Sequence, residues 1–426
     1  MKLLLYEHLS WEENMSFLLE YRQLFKNRSI ILLLLSEVVN SIGSTLTFFA
    51  LISQVMQISD RDIHVGMVMM MEIIPAILFG FIAGILADRL DRKWIMIVSN
   101  LIRAVIISFL LFSTELWHIY VLAFLDGTFA NFFQPAKRSL MPTLVKSEEY
   151  VTMNSLFSLV NSSLQIFRPA ISGLVVAFFG IKWAYGIDMI TFVIASSLLL
   201  GITSSKDIVK KTTVNKELWQ DFKIGIQYIL QKAILKYIFV FQIFFTLVMS
   251  MQGALTFLYV ERYMANGGNV EQITGYLFSM IGIGGIIGGV LSKWMIDRLG
   301  AIRLLLFTII FDGAMVVWFS FTETLGVALF IWVFLGIIGA VSSVVIETLI
   351  QQQVPEDLRG RIYGVTGPLT GPISLLSIGS GTTLSQLVGP RVVFLAAGIG
   401  EILLGTIGRV IPAYKKIEQV NKTDER

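Results

Sequence analysis

Apolar residues run through this chain in blocks of roughly twenty, separated by short polar clusters. In hydrocarbon every backbone amide must be bonded within its own segment, so each block predicts a membrane-spanning helix. Six blocks fall at 29–55, 65–87, 94–113, 117–136, 150–179 and 183–203. After a polar stretch six more follow, at 235–260, 271–296, 302–321, 325–352, 361–387 and 391–412. The pattern predicts an all-α polytopic membrane protein with twelve transmembrane helices in two six-helix bundles. It divides the chain into an N-terminal arm (1–28), a first bundle (29–203), a linker (204–234), a second bundle (235–412) and a tail (413–426).

Charge fixes the expected orientation. The linker carries Lys206, Lys210, Lys211, Lys216 and Lys223, and the same side collects Arg22, Lys26 and Arg28, then Arg89, Arg92 and Lys93, then Lys137, Arg138 and Lys146. Arg298, Arg303, Arg359, Arg361 and the basic tail add to it, whereas the opposite loops hold only Arg61, Lys182, Arg262 and Arg391. By the positive-inside rule that richer side is cytoplasmic, so both termini lie inside a plasma or inner membrane, as an even number of spans requires. Within the linker, Trp219, Phe222, Ile226, Tyr228 and Ile229 recur at near-helical spacing and predict an amphipathic helix lying on the inner surface, most simply a connection between the bundles.

Composition narrows the function classes. The 426 residues are 55% hydrophobic and 15% charged, more apolar surface than one water-soluble core could bury, so membrane lipids are the expected surroundings. The net charge of +3 gives no reason to expect nucleic acid as a partner. The absence of Cys excludes disulfides, a thiol nucleophile and thiolate metal sites, and three scattered His at 8, 64 and 118 show no metal-ligand spacing. Glu7, Glu12, Glu13 and Glu20 make the first 25 residues a retained cytoplasmic arm rather than a cleaved signal. With no phosphate loop and no His–carboxylate cluster, no cofactor, metal or catalytic residue is expected, and the chain is not read as an enzyme.

The two halves echo each other. Span 2 ends in G-F-I-A-G-I-L-A-D-R-L-D-R-K (80–93) and span 8 in G-G-I-I-G-G-V-L-S-K-W-M-I-D-R-L-G (284–300). Small residues every fourth position, Gly80 and Gly84, and Gly284 with Gly288 or Gly285 with Gly289, predict faces cleared for a neighbouring backbone. The charged cluster at 88–93 resembles the G-x-x-x-D-R-x-G-R-K signature of the major facilitator superfamily. Gly84, Asp88, Arg89, Arg92 and Lys93 match, and Asp91 stands where that family often has Gly. With F-F-Q-P-A-K-R-S-L-M-P-T-L-V (132–145) and R-G-R (359–361), the chain is similar to the macrolide-efflux and siderophore-exporter branch, whose members are drug:proton antiporters. The resemblance implies two pseudo-symmetric bundles rocking about a central cavity lined by spans 1, 4, 7 and 10. It also implies a conformational latch in which Asp88 grips the start of span 11 and Arg359 or Arg361.

An ionisable side chain at a span centre costs roughly 2.5–3.5 kcal/mol on insertion scales, so each needs a partner or water. Glu37, Glu72, Arg103, Asp126, Arg168, Asp312, Glu347 and Glu401 all fall inside apolar runs. Arg103 and Asp126 each lie about nine residues from the inner end of adjacent antiparallel spans, about 14 Å deep at 1.5 Å per residue, and are expected to pair. Arg168 stands where the family has Gly before the span-5 proline, needing a carboxylate or an anionic ligand, with Glu37 and Glu72 as candidates. Pro169 and Gly173 still fit a bent, closely packed helix. Glu37 and Glu347 fall in spans that line the cavity by analogy and are the carboxylates best placed for proton coupling. Asp312 and Glu401 are expected to pair structurally.

These readings converge on a multidrug-efflux-type antiporter, exporting a hydrophobic or amphipathic small molecule against protons by alternating access. A lysophospholipid, siderophore or metabolite transporter is the alternative within transport, and a membrane scaffold or receptor the alternative outside it. Protons, a small-molecule substrate and lipid are the expected partners of a monomer.

Overall fold

A computed structural model describes residues 24–203, 217–265 and 268–408. The arm before residue 24, the tail after 408 and most of the polar linker therefore lie outside the described residues. Thirteen α-helices occur among those described. The first six are α1 (Arg28–Ile58), α2 (Asp62–Arg89), α3 (Arg92–Leu110), α4 (Leu116–Leu140), α5 (Tyr150–Phe179) and α6 (Ile181–Leu200). Helix α7 (Glu217–Gln231) belongs to the linker. The second six are α8 (Ala233–Tyr263), α9 (Val270–Leu299), α10 (Ala301–Ser320), α11 (Leu325–Gln353), α12 (Glu356–Val388) and α13 (Pro390–Gly408). The two ends of the molecule are called here the linker side, where α7 lies, and the far side.

Ten of the helices are long and apolar enough to cross a membrane. The other two long ones have reasons to fall short: α4 carries Asp126, Gln134, Lys137 and Arg138, and α12 is rich in Gly, Ser and Thr, with Pro368 and Pro372 inside it. Both face the middle of the molecule, where water or another bundle replaces lipid. Outward-facing Phe178, Val290 and Leu376 are mostly exposed, as side chains that lipid would cover.

The halves repeat with a constant offset. Arg92 and Ala301 open α3 and α10, Leu116 and Leu325 open α4 and α11, and Gly180 and Gly389 end α5 and α12 with φ of 85° each; the members of every pair are 209 residues apart. Packing obeys the same offset. A Cβ on Gly127 would lie 2.7 Å from the Glu72 carbonyl oxygen, and a Cβ on Gly336 would lie 2.3 Å from that of Ile281. Glycine is needed at both crossings because the backbones themselves touch.

Of the small-residue faces expected from sequence, Gly284 and Gly288 meet α11, at 2.0 Å from the Val333 and 2.3 Å from the Ile337 carbonyl oxygens, whereas Gly285 and Gly289 meet nothing within 4 Å. Gly80 and Gly84 also face open space, which corrects the expectation of a close neighbour there. The reason is the shape of the seam between bundles. Helices α2 and α12 touch from Ile77 and Gly371 toward the far side, through Met70 with Gly379 to Gly66 with Thr382; toward the linker side Gly360, Gly364 and Gly367 also meet nothing. The seam is shut at one end and splayed at the other.

In the linker helix Phe222, Ile226, Tyr228 and Ile229 pack into a core with Leu235, Ile362 and Val365, and Gly225 admits the Arg361 carbonyl. One face of the helix therefore docks on the second bundle.

Candidate functional site

Polar residues at helical spacing on α1 (Glu37, Ser41, Ser44) and α5 (Asn154, Ser158, Asn161, Gln165, Arg168) turn toward each other across the first bundle. With α4 and a few residues of α8 and α9 they enclose a cavity of about 1090 Å³. Lys137, Arg138 and Met141 stand at its linker-side mouth. Its far end is sealed by edge-to-face rings, Phe49 against Phe257 at 5.2 Å and against Phe278 at 6.3 Å. Beside them α5 and α9 close without side chains between them: a Cβ on Gly173 would lie 2.3 Å from the Glu271 oxygen, and one on Gly275 2.6 Å from that of Pro169. Pro169 and Gly173 thus sit at the crossing of the two bundles.

Arg103 and Asp126 are brought together. The guanidinium donates from Nε and Nη2 to the two carboxylate oxygens, 2.9 Å each, and from Nη2 to Ser44 Oγ at 3.3 Å, with the ring of Phe192 4.4 Å beneath it. Both side chains are 6% exposed. A fork-to-fork pair backed by an aromatic face is the geometry in which a buried guanidinium is best satisfied.

Glu37 is paired with Lys137, whose Nζ donates to Oε1 at 2.6 Å. The fourth span therefore extends past its expected end at 136: α4 continues to Leu140, and the ammonium is buried in its last turn. Glu347, by contrast, is exposed and does not line this cavity; it accepts from Tyr363 of α12 and from Gln351 at 2.8 Å. Arg168 reaches neither carboxylate suggested for it. Its Nη1 donates to Ser41 Oγ at 2.5 Å. Glu72 is half-buried, with no hydrogen-bond partner among the described residues. Asp312 and Glu401 are both buried where Gly313 and Gly398 bring α10 and α13 into contact. They stand 209 residues after Arg103 and Phe192, so the two halves hold different chemistry at equivalent places.

Around the charged loop, Asp91 caps α3 by accepting from the Lys93 and Trp94 amides at 2.9 and 3.4 Å. Arg92 Nε donates to the Ala87 oxygen at 3.4 Å, and Lys93 Nζ to the Leu200 and Ile202 oxygens at 2.8 Å each. Arg359 does the same for α11, donating to the Val354 and Gln351 oxygens at 3.1 and 2.9 Å. These bases neutralise helix C-termini. Arg89 is exposed, and the Asp88 side chain lies outside what is described.

Sequence reasoning missed two groups. Asp188 on α6 is fully buried, accepting from Thr47 Oγ1 at 2.5 Å and Thr191 Oγ1 at 2.9 Å; its place inside an apolar run was the available signal. On the far side, Asp62 accepts from Arg262 and, at 2.5 Å, from Ser385 Oγ, while its amide donates to Gln386 Oε1 at 2.6 Å. That cluster ties α2 to α8 and α12 across the two bundles.

Comparison with known proteins agrees with this architecture. The model of the Major Facilitator Superfamily matches residues 33–377. The MFS-type transporter YfiS of Bacillus subtilis (strain 168) is 25% identical over 402 residues, 91% of this chain and 94% of YfiS. The multidrug efflux pump Tap of Mycolicibacterium fortuitum is 23% identical, over 93% of this chain and 99% of Tap. Among solved structures, the nucleoside transporter NupG shares the fold with a TM-score of 0.72 at 15% identity, over 90% of this chain and 99% of NupG.

Proposed function

The chain belongs to the major facilitator superfamily, a family of multi-pass membrane transporters, and from that premise we propose that it is a proton-coupled exporter of amphipathic organic molecules working by alternating access. The observation that carries the proposal is the cavity lined mainly by the first bundle and closed on one side by Gly253, Phe278, Ile281 and Gly282 of the second, with its mouth at the linker side and its far side shut by backbone contacts, aromatic rings and the Asp62 cluster. The concentration of Lys and Arg at the linker side makes that side cytoplasmic, with both termini inside. The cavity then faces the cytoplasm, ready to load. Likeness to the multidrug efflux pump Tap supports export over uptake.

In this reading Glu37 carries the proton. Its ion pair with Lys137 on the cavity wall is the contact whose making and breaking would accompany the change between inward and outward states. The splayed α2–α12 seam would close in the outward state, bringing the 88–93 loop to the start of α12 as the latch.

The test uses reconstituted vesicles with an imposed pH gradient and a panel of fluorescent amphipathic compounds. Wild type is expected to accumulate substrate and move protons in the opposite direction. Glu37→Gln is expected to keep gradient-free substrate exchange while losing about tenfold or more of gradient-driven accumulation, the scale of roughly 1.4 kcal/mol of coupling. Accumulation by that variant at the wild-type level would remove Glu37 from the proposal, and indifference of the wild type to pH would remove proton coupling altogether.

A further inference from the structure

The cavity wall has an excess of positive charge that the fold does not use. Arg103, Lys137, Arg138 and Arg168 line it against a single lining carboxylate, Glu37. Two of these cations are spoken for: Arg103 by both oxygens of Asp126, Lys137 by Glu37. Arg138 is exposed at the mouth, in water. Arg168 is different. It stands at the closed end, next to the Pro169–Gly275 crossing, half-buried, and among the described residues its only hydrogen bond is to the Ser41 hydroxyl, with no carboxylate within 4 Å. A guanidinium has five N–H donors in a planar fork, and a neutral hydroxyl leaves most of them unmatched.

What surrounds it defines the missing partner. On α5, Gln165 and Asn161 continue the polar stripe below Arg168, adding amide groups along one wall. Phe48, Phe278 and Ile281 offer an apolar face to the same cavity. Ser41 holds the guanidinium aimed across the cavity, so little side-chain entropy remains to be lost on binding.

We propose that the cavity takes amphipathic organic anions, with a carboxylate, sulfonate or phosphate held by the Arg168 guanidinium and the apolar body against Phe48, Phe278 and Ile281. The anion forms the bidentate charge-assisted pair that no side chain supplies, in a cavity where partial desolvation strengthens it. This rests on the cavity being the transport site, and it names the substrate class of that site. Anionic amphiphiles from solution and anionic lipid headgroups share this chemistry.

Three probes with one fluorophore and different charge separate the ideas: dansyl-phenylalanine (anion), its amide (neutral) and dansylcadaverine (cation). Binding to purified protein in phosphatidylcholine nanodiscs is read by dansyl fluorescence, and transport in phosphatidylcholine vesicles. The anion is expected to bind about tenfold or more tightly than the amide, a preference that Arg168→Gln abolishes and Arg168→Lys partly restores, with dansylcadaverine unaffected. Competition by added phosphatidylglycerol would identify a lipid headgroup as the anion, and its absence a soluble one. Equal binding of all three probes by wild type, or an anion preference that survives Arg168→Gln, overturns the assignment. Transport of the cation without anion binding would sink this inference and leave the export proposal standing; tight anion binding with no transport of any probe would do the reverse.

Discussion

Asp126→Ala is expected to be among the most damaging single substitutions in the chain, lowering both the yield of folded protein and its transport by about tenfold or more. The carboxylate accepts two 2.9 Å bonds from Arg103, and each side chain is 6% exposed, so its removal leaves the guanidinium without its two charge-assisted bonds, over the Phe192 ring and with Ser44 as its remaining hydrogen bond. Breaking a buried pair from one side costs about 3–5 kcal/mol, a large part of the total stability of a typical domain. Arg103→Ala is expected to be milder, because the orphaned carboxyl can take up a proton, which a guanidinium cannot give away. The reversed pair, Arg103→Asp with Asp126→Arg, should recover part of the loss. Recovery stays partial because the moved guanidinium loses the Phe192 ring, worth about 0.5–2 kcal/mol. Thermal unfolding in detergent and transport in vesicles check this. A double variant no better than Asp126→Ala would mean that position matters more than pairing.

That pair also shows how far the sequence could be read. Counting 1.5 Å per residue from two span ends placed Arg103 and Asp126 at one depth, because rigid antiparallel neighbours convert sequence distance into height. The twelve spans are legible for a similar reason, since lipid forces long uninterrupted apolar blocks on almost every one. Contacts that depend on where a helix ends, or on which state the molecule is in, are not legible in this way. A charge after an apolar block looks like its end, so Lys137 reads as lying beyond the fourth span, whereas α4 runs one turn further and buries the ammonium against Glu37. Gly80 and Gly84 clear a face for a neighbour that this splayed arrangement withholds. Glu347 follows the expected span, but helix rotation turns it toward Tyr363 and away from the cavity. The Asp62 cluster joins residues 62, 262, 385 and 386, and no local spacing could relate them.

The Asp62 cluster carries the second large expected effect. Asp62→Ala should shift the protein from the state described here toward one open at the far side. The carboxylate side chain is 1% exposed and collects Arg262 from α8 and Ser385 from α12, so its loss removes two bonds between bundles at once. Hydrogen bonds to charged groups contribute about 1.5–3 kcal/mol each, so the pair biases the equilibrium by about 3–6 kcal/mol, a hundredfold or more. At the linker end of the α2–α12 seam a Cβ on Gly80, Gly84, Gly364 or Gly367 would meet nothing within 4 Å among the described residues. The far-side cluster is expected to clamp the state described here, so weakening it should alter the populations more than the fold. Because the chain has no native cysteine, a reporter at Thr382→Cys, fully buried against Gly66 in that seam, reads the opening directly. Its labelling by a membrane-impermeant maleimide should rise about tenfold or more when Asp62→Ala is added, with unfolding temperature little changed. Labelling that stays at the parent rate would show that the glycine crossings and the Phe49 ring cluster hold the far side shut without help from Asp62.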